Sequence, residues 1–234
     1  MQLICYLSNG FPSFDRSLDL AAQYVSAGCD TIEIDLPARH PFLENELIQN
    51  RMATVLRACD DYGQYLANIA EIRHRLPGTR VLLVVYEATV EEIGRERFIE
   101  FCRSNGLLDV ILVGSAGEDV KRMLMQSGIR ISCYVRAWMS TDEIASAVAS
   151  NGFVYLQYAA ADVNPEYPTL RSRIDALRSR GVDRPIYCGV GVYGSADYQA
   201  VSDAGGDGAF VGSTILKLWD QPDQLRQAIA SFKA

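Results

Sequence analysis

The chain alternates between short apolar runs, which are typical of buried strands, and longer segments with the apolar spacing of amphipathic helices. The strands are predicted near Leu3–Tyr6, Thr31–Asp35, Val81–Tyr86, Val110–Val113, Arg130–Val135, Phe153–Tyr158, Pro185–Cys188 and Gly208–Val211. Helix boundaries have local signals as well. Ser140 and Glu143 have the spacing of a capping box, and Gly28 and Gly106 stand where predicted helices end.

Eight strand–helix units with connections of similar length occupy 234 residues. This count favours a closed (β/α)8 TIM barrel, an α/β fold that typically takes about 250 residues. We expect residues 1–234 to form a single domain, because no Pro/Ser linker or low-complexity segment divides them. A doubly wound parallel sheet is the alternative.

The second predicted strand carries acids on one face. Ile32, Ile34 and Leu36 alternate with Glu33 and Asp35, and a buried unpaired acid costs free energy. In TIM barrels the chemistry lies at the carboxyl ends of the strands, so Glu33 is predicted to point into the barrel mouth as a general acid/base. The alternative is an internal ion pair with an arginine of a neighbouring strand.

A second carboxylate, Glu44, follows Glu33 by 11 positions. It is predicted to lie in the loop after the second strand, where the two acids would face opposite sides of one ligand. The alternative for Glu44 is a solvated residue near a helix start. The same rule for strand ends also selects the Asn9–Pro12 loop, Tyr86, Ser115 and Tyr158.

Two glycine-containing segments, "YCGVGVYGS" and "AFVGSTILKL", follow the seventh and eighth strands. Loops at these two places often bind phosphate in TIM barrels. Gly189 and Gly191 leave room for close approach of a ligand to the backbone. Gly212 and Ser213 are predicted to open the last helix, where free N–H groups face an anion. The alternative is that these glycines serve plain turns.

The chain is acidic, with 29 Asp and Glu against 22 Lys and Arg and a formal charge of -7. This balance disfavours nucleic acid and anionic membranes as partners, and no apolar run approaches the roughly 20 residues that span a bilayer. Six cysteines occur without a C-x-x-C pair. Together with the lack of a signal peptide, they indicate a reducing cytoplasm.

Several chemistries are disfavoured by composition. The three lysines, Lys121, Lys217 and Lys233, do not end strands, so a Schiff-base aldolase is not expected. The two histidines, His40 and His74, are too few for a three-histidine metal site. Asp35, His40 and Glu44 fit a metal site by spacing alone, and we predict no metal.

The segment "IEIDLPARHPFLENELIQ" resembles the strand-two motif of the tryptophan synthase alpha subunit family, I-E-L-G-I-P-F-S-D-P-L-A-D-G-P-T-I-Q. Glu33 falls on the catalytic glutamate of that motif. "LSNGFPS" resembles the family's turn after strand one, and "GVGV" and "VGSTILK" resemble its two phosphate loops. Tyr86 and Tyr155 fall on tyrosines of the indole pocket.

This resemblance implies a TIM-barrel lyase that cleaves indole-3-glycerol phosphate to indole and glyceraldehyde 3-phosphate without a cofactor of its own. Glu33 would be the acid/base, and Glu44 would replace the aspartate that stabilises positive charge on the indole nitrogen. The substrate would be a phosphorylated indole. The resemblance also implies a beta-subunit partner, to which any pyridoxal phosphate would belong.

Some positions depart from the family pattern. "YAAADVNPEYP" lacks the Thr-Gly of loop six, and Arg39 and His40 replace Ser and Asp in loop two. These departures predict weak or absent coupling to a standard beta subunit. Asp35 stands at a family glycine, for which an ion pair with Arg39 is one explanation. Another phosphate-binding barrel enzyme, such as a sugar-phosphate epimerase or aldolase, and a catalytically weak regulatory barrel remain as alternatives.

Overall fold

The strands form one parallel sheet that curves into a nearly closed barrel. The computed structural model of the chain describes residues 1–114 and 118–234, and of Glu118 the backbone only. The strands are β1 Gln2–Leu7, β2 Thr31–Asp35, β3 Arg80–Tyr86, β4 Asp109–Val113, β5 Arg130–Ile131, β6 Cys133–Val135, β7 Val154–Gln157, β8 Ile186–Gly189 and β9 Gly208–Val211. Their order in the sheet is β5-β4-β3-β2-β1-β9-β8-β7-β6. The predicted barrel is confirmed.

Helices follow the strands around the outside of the barrel. They are α1 Phe14–Ser26, α2 Glu46–Ala58, α3 Tyr62–Arg75, α4 Glu87–Ile93, α5 Arg95–Ser104, α6 Glu118–Gln126, α7 Thr141–Ala149, α8 Leu170–Ser179, α9 Ser195–Asp203, α10 Ser213–Leu216 and α11 Pro222–Ser231. The capping box of Ser140 and Glu143 is present at the start of α7. No helix among the described residues is long and apolar enough to cross a membrane.

One predicted strand, Arg130–Val135, is split at Ser132 into β5 and β6. The chain changes partner at the split, because β5 pairs with β4 and β6 pairs with β7. Ser132 N–H donates to Val110 O (2.9 Å) and Cys133 N–H donates to Phe153 O (3.0 Å). The segment thus joins both edges of the sheet and occupies one strand position of the barrel, which gives the eight positions that the sequence predicted.

Alternate strand residues point into the barrel and form two layers. The lower layer contains Ile4, Leu82, Phe153, Tyr187 and Phe210. The upper layer, towards the carboxyl ends of the strands, contains Tyr6, Val84 and Tyr86. The outward residues of β2, Ile32 and Ile34, are fully buried in the main core that packs on the helices. The pattern of β2 therefore sends its acids inward, as the sequence predicted.

Candidate active site

Glu33 lies in the middle of β2, on the inner face of the barrel. Its strand neighbours in register are Tyr6 of β1 and Leu82 of β3. The side chain is 6% exposed. Among the described residues, no ion pair involves Glu33, so the alternative of a structural pair with arginine finds no partner there.

Burial raises the pKa of Glu33 well above its usual range, and the charges of Glu44 and Asp35 raise it further. An apolar wall disfavours the ionised form, and each neighbouring carboxylate repels a second negative charge. Glu33 therefore keeps its proton to a higher pH than an ordinary glutamate does. A carboxylic acid that retains its proton inside a barrel mouth is suited to general acid catalysis.

Glu44 approaches this site from loop two, the segment 36–45 between β2 and α2. Burial, followed by the charge of Asp35, raises the pKa of Glu44 to about 7. The charge of Glu44 also raises the pKa values of Glu33, Tyr86 and Tyr155. Glu44 is half-buried, and its charge acts on inward side chains of three strands.

The structure also brings the two predicted pocket tyrosines to this place. Tyr86 is 3% exposed, and its ring meets Phe42 of loop two edge to face, with ring centroids 5.4 Å apart. Tyr155 stacks on Phe210, with ring centroids 4.3 Å apart and an interplanar angle of 12°. Burial raises the pKa of Tyr155 well above its usual range, followed by the charge of Glu33. Both phenols are therefore neutral, flat walls beside the two acids.

Asp35 has a different partner from the one expected. Its carboxylate accepts hydrogen bonds from the Tyr6 hydroxyl (2.7 Å) and from Asn9 N–H (2.8 Å). Arg39 instead pairs with Asp60 and Glu92 outside the barrel. The ion pair with Arg39, which was one explanation for Asp35, is therefore wrong. The reason is the strand period, which turns Asp35 inward.

Tyr6 was missed as a site residue in the sequence, because an inward tyrosine on a buried strand looks like any core aromatic. Among the described residues, no cluster of three metal-binding side chains occurs. Asp35, His40 and Glu44 therefore do not form the metal site that their spacing allowed. Ser115 lies outside the described residues.

The two glycine segments meet at the other side of the mouth. The Thr214 hydroxyl donates to Tyr193 O (3.3 Å) and joins the loop after β9 to the loop after β8. Ala159 N–H donates to Val190 O (3.0 Å) and joins the loop after β7 to the same turn. Val190 has a φ of 63° and Gly191 a φ of 104°. A left-handed valine is a strained conformation, of the kind that clusters at ligand sites.

Gly212 and Ser213 open α10, which has four residues, and not the last helix, α11. The prediction was wrong because the chain leaves the helix at Leu216 and restarts at Pro222, whose ring suits the first turn of a helix. Within the described ranges, the backbone N–H groups of Gly191, Gly212 and Ser213 have no hydrogen-bond acceptor in the protein. Three free donors at two adjoining loops form an arrangement that accepts an anion.

The glycines differ in what they leave room for. A Cβ at Gly189 would lie 2.4 Å from the Tyr155 hydroxyl, so this glycine makes room for a pocket side chain. A Cβ at Gly191 would lie 2.6 Å from the Ala159 Cβ. At Gly212 a Cβ would meet only the Tyr6 Cβ, at 3.8 Å. Of the three, only Gly212 borders open space above the barrel.

Two cavities lie near this end of the barrel. One of about 180 Å³ adjoins Tyr86 and Phe42 under loop two. The other, about 460 Å³, is lined by Trp138, Tyr167 and Arg180, beyond the loops after β6 and β7. Glu33 lines neither of them. Glu33 is buried, whereas Glu44 is half-buried.

The model of the tryptophan synthase alpha chain family matches residues 1–234. Curated tryptophan synthase alpha chains from Burkholderia thailandensis and Paraburkholderia phytofirmans are 26% and 25% identical to this chain; the alignments cover 99% of it and 90% and 88% of those proteins. The fold is similar to that of tryptophan synthase from M. tuberculosis in its aminoacrylate-bound form (TM-score 0.83, 23% identity) and of the alpha subunit from Legionella pneumophila (TM-score 0.83, 21% identity). Each structural match covers 99% of this chain and 91% of the other. The chain belongs to the tryptophan synthase alpha chain family.

Proposed function

We propose that the protein is a carbon–carbon lyase that cleaves indole-3-glycerol phosphate to indole and glyceraldehyde 3-phosphate. The observation that carries the proposal is the buried carboxyl of Glu33 at the barrel mouth, which has no ion-pair partner in residues 1–114 and 118–234. A second acid lies on loop two, and backbone N–H groups without an acceptor in those ranges lie across the mouth. Family membership supports the same reaction. We treat residues 1–234 as one barrel domain that carries the whole site.

The proposed chemistry needs a proton donor at indole C3 and a base at the glycerol hydroxyl. Glu33 starts protonated, gives its proton to C3, and as the resulting carboxylate takes the proton of the hydroxyl on the carbon next to C3. The C–C bond then breaks, its electrons return to the indole ring, and the hydroxyl carbon becomes the aldehyde. Glu33 ends as it began, so neither a net proton nor a cofactor of this chain is required.

Glu44 has the complementary role in this proposal. Protonation at C3 leaves positive charge on the indole nitrogen, and an ionised carboxylate beside the N–H stabilises that charge most where water is excluded. Its pKa of about 7 keeps a substantial ionised fraction at neutral pH. Loop two thus supplies the group that must be charged, and β2 supplies the group that must be neutral.

We assign substrate binding to two tyrosine rings and to three backbone N–H groups. The flat faces of Tyr86 and Tyr155 border the indole, and the free N–H groups of Gly191, Gly212 and Ser213 bind the phosphate, with Gly189 giving room for the Tyr155 ring. Because aromatic side chains fill the mouth, we expect Phe42 to leave the Tyr86 ring when the substrate enters. Loop two is the segment that must move.

A beta-subunit partner is proposed for the same end of the barrel. Large apolar side chains are exposed there on the loops after β2, β6 and β8: Phe42, Leu43, Trp138, Val190 and Tyr193. Exposed apolar clusters of this kind mark interaction sites. Pyridoxal phosphate, if used in a later step, belongs to that partner. The changed loops two and six support weak coupling.

A cytoplasmic location is proposed from the cysteines. Cys5, Cys29, Cys102 and Cys188 are buried, and all six cysteines of the chain are free thiols. Disulfide-free buried thiols are typical of a reducing compartment.

The test is an assay of indole release from indole-3-glycerol phosphate by the purified protein, alone and with a standard beta subunit. We expect indole and glyceraldehyde 3-phosphate in equal amounts, and we expect the Glu33→Gln protein to form both at least about 100-fold more slowly. Turnover of a sugar phosphate without indole release would contradict the proposal and favour an epimerase or aldolase.

A further inference from the structure

Asp35 is buried at the centre of the site, yet neither of its oxygens is free. It is 1% exposed and lies two residues after Glu33 on the inner face of β2. One oxygen accepts the Tyr6 hydroxyl at 2.7 Å and the other accepts Asn9 N–H at 2.8 Å. With both oxygens engaged by the protein, Asp35 has no room for a substrate atom. Any role it has must pass through its neighbours.

Through Asn9, Asp35 is part of a buried polar network that fixes the turn after β1. The Asn9 amide donates to Tyr65 O (3.2 Å), and the Asn68 amide donates to the Asn9 side-chain oxygen (2.8 Å) and to the Ser17 hydroxyl (2.9 Å). Each member has a partner, and a fully satisfied buried network is rigid. The position of Asp35, and of the Tyr6 ring that it holds, is therefore set by α1 and α3.

Burial and hydrogen bonding act in opposite directions on the charge of Asp35. Burial raises its pKa to about 6, against the opposing effects of the Tyr6 and Asn9 hydrogen bonds and of the Arg51 guanidinium. Arg51 is itself 5% exposed, stacks over the Phe11 ring at 4.3 Å and donates to Leu216 O. Asp35 is therefore mostly ionised at pH 7 and loses its charge as the pH falls through about 6.

Titratable groups from every packed element face this charge. They are Tyr6 of β1, Glu33 of β2, Glu44 of loop two, Arg51 of α2, Tyr65 of α3 and Tyr86 of β3. The phenols stay neutral and Arg51 stays charged at the pH values at which the enzyme would work. The Asp35 charge therefore affects mainly the ionisation of Glu33 and Glu44. A negative charge close to a carboxyl group disfavours the ionisation of that group.

We propose that Asp35 is a positioning residue of the site: its carboxylate holds the Tyr6 ring beside Glu33 and places a negative charge beside Glu33 and Glu44. The inference rests on the proposed function for the roles of the two glutamates. Asp35 does not touch substrate. It determines the pH range over which Glu33 keeps its proton while Glu44 has lost its own.

The test is the pH dependence of indole release by Asp35→Asn, which keeps the shape and removes the charge. Without that charge Glu44 ionises more readily, so the acidic limb of kcat should move to lower pH by about one unit, while KM changes less than kcat. Tyr6→Phe removes the 2.7 Å hydrogen bond and should move the limb in the same direction by less. Tyr187→Phe is the matched control, since its hydroxyl binds Arg80 at the opposite end of the barrel.

A second measurement does not depend on turnover. Carboxyl carbon NMR titration of the labelled parent, with Glu44→Gln to assign the signal, gives the Glu44 titration directly. A lower midpoint in Asp35→Asn supports the inference. An unchanged midpoint, with an unmoved acidic limb, overturns it. If the parent releases no indole, the proposed function fails, and the NMR midpoint still decides the role of Asp35. If Asp35→Asn does not fold, the Tyr6→Phe titration decides.

Discussion

Gly189 and Tyr155 occupy adjoining space so closely that a single added carbon would bring them into conflict. A Cβ at residue 189 would lie 2.4 Å from the Tyr155 hydroxyl and 2.6 Å from its ring. Because Gly189 of β8 has no side chain, the Tyr155 ring of β7 can occupy the space beside it. In that position the ring stacks on Phe210 of β9.

This relationship predicts that Gly189→Ala destabilises the fold by about 1–3 kcal/mol, the usual cost of overpacking. Tyr155→Ala removes the clash, so the double variant should lose less stability than the two single effects added together. Denaturant unfolding of the four proteins measures the coupling. Strictly additive effects would show that the two residues do not compete for space.

For Glu33→Gln we expect turnover to fall by at least about 100-fold, because a general acid/base contributes at least that much. Binding of the substrate analogue indole-3-propanol phosphate should change far less. The variant should melt no earlier than the parent at pH 8, because burial and neighbouring charges raise the pKa of Glu33. A group of this kind stabilises the fold below its unfolded pKa and loses that contribution as pH rises through its folded pKa. Early melting with turnover intact per folded molecule would contradict the catalytic role.

The pH–rate profile of the parent should be bell-shaped. Glu44 must be ionised and its pKa is about 7, so kcat should fall as the pH drops below that value. Glu33 must be protonated and its pKa is raised well above its usual range, so the mechanism predicts a second fall of kcat where Glu33 ionises. Because the two acids interact, the midpoints belong to the pair.

Glu44→Gln should remove the acidic limb and keep the basic one. It should also reduce kcat less than Glu33→Gln does, since its role is electrostatic. A Glu44→Gln profile with the acidic limb unchanged would assign that limb to another group.

At the phosphate loops, Gly212→Ala should raise KM by about 10- to 100-fold, because the added Cβ would keep the phosphate from a close approach to the Gly212 N–H and so weaken one hydrogen bond to a charged group. A Cβ there meets only the Tyr6 Cβ, at 3.8 Å, so the melting temperature should stay near that of the parent. Gly78→Ala is the matched control, because its Cβ would have no neighbour within 4 Å. Inorganic phosphate should inhibit the parent and the control, and Gly212→Ala less. Equal inhibition of all three would place the phosphate elsewhere.

Coupling to a standard beta subunit should be weak. Allosteric coupling of about 1–3 kcal/mol changes rates or affinities by about 5- to 150-fold, and we expect less than about fivefold activation of indole release. The reason is the altered chemistry of loops two and six, including Arg39, which is engaged with Asp60 and Glu92. Titration of the beta subunit into the assay measures this directly. Activation well above fivefold would show that coupling does not need the Thr-Gly that loop six lacks.

The repeated strand–helix pattern determined the barrel, because eight buried strands joined by amphipathic helices have few other ways to bury their apolar faces. The strand boundaries came within one or two residues at most positions, and Thr31–Asp35 and Gly208–Val211 were correct at both ends. The inward direction of Glu33 also followed from sequence, since side chains alternate along a strand.

Other features depended on tertiary contacts. The split at Ser132 arises because one segment pairs with two different strands. Local sequence propensity does not indicate such a change of pairing partner. The partner of Asp35 was not predictable, because Tyr6 and Asn9 are 29 and 26 residues away in sequence and are brought close only by the pairing of β1 with β2.

The sequence by itself thus determined which residue types stand at the strand ends, because that depends on periodicity and turn composition. Tertiary structure decided which of them are charged. The proton of Glu33 and the intermediate pKa of Glu44 depend on burial by side chains from other strands and on three acids sharing one barrel mouth. Electrostatic interactions of this kind depend on the distances between the charged groups and on the exclusion of water. Both are set only when the chain folds into the barrel.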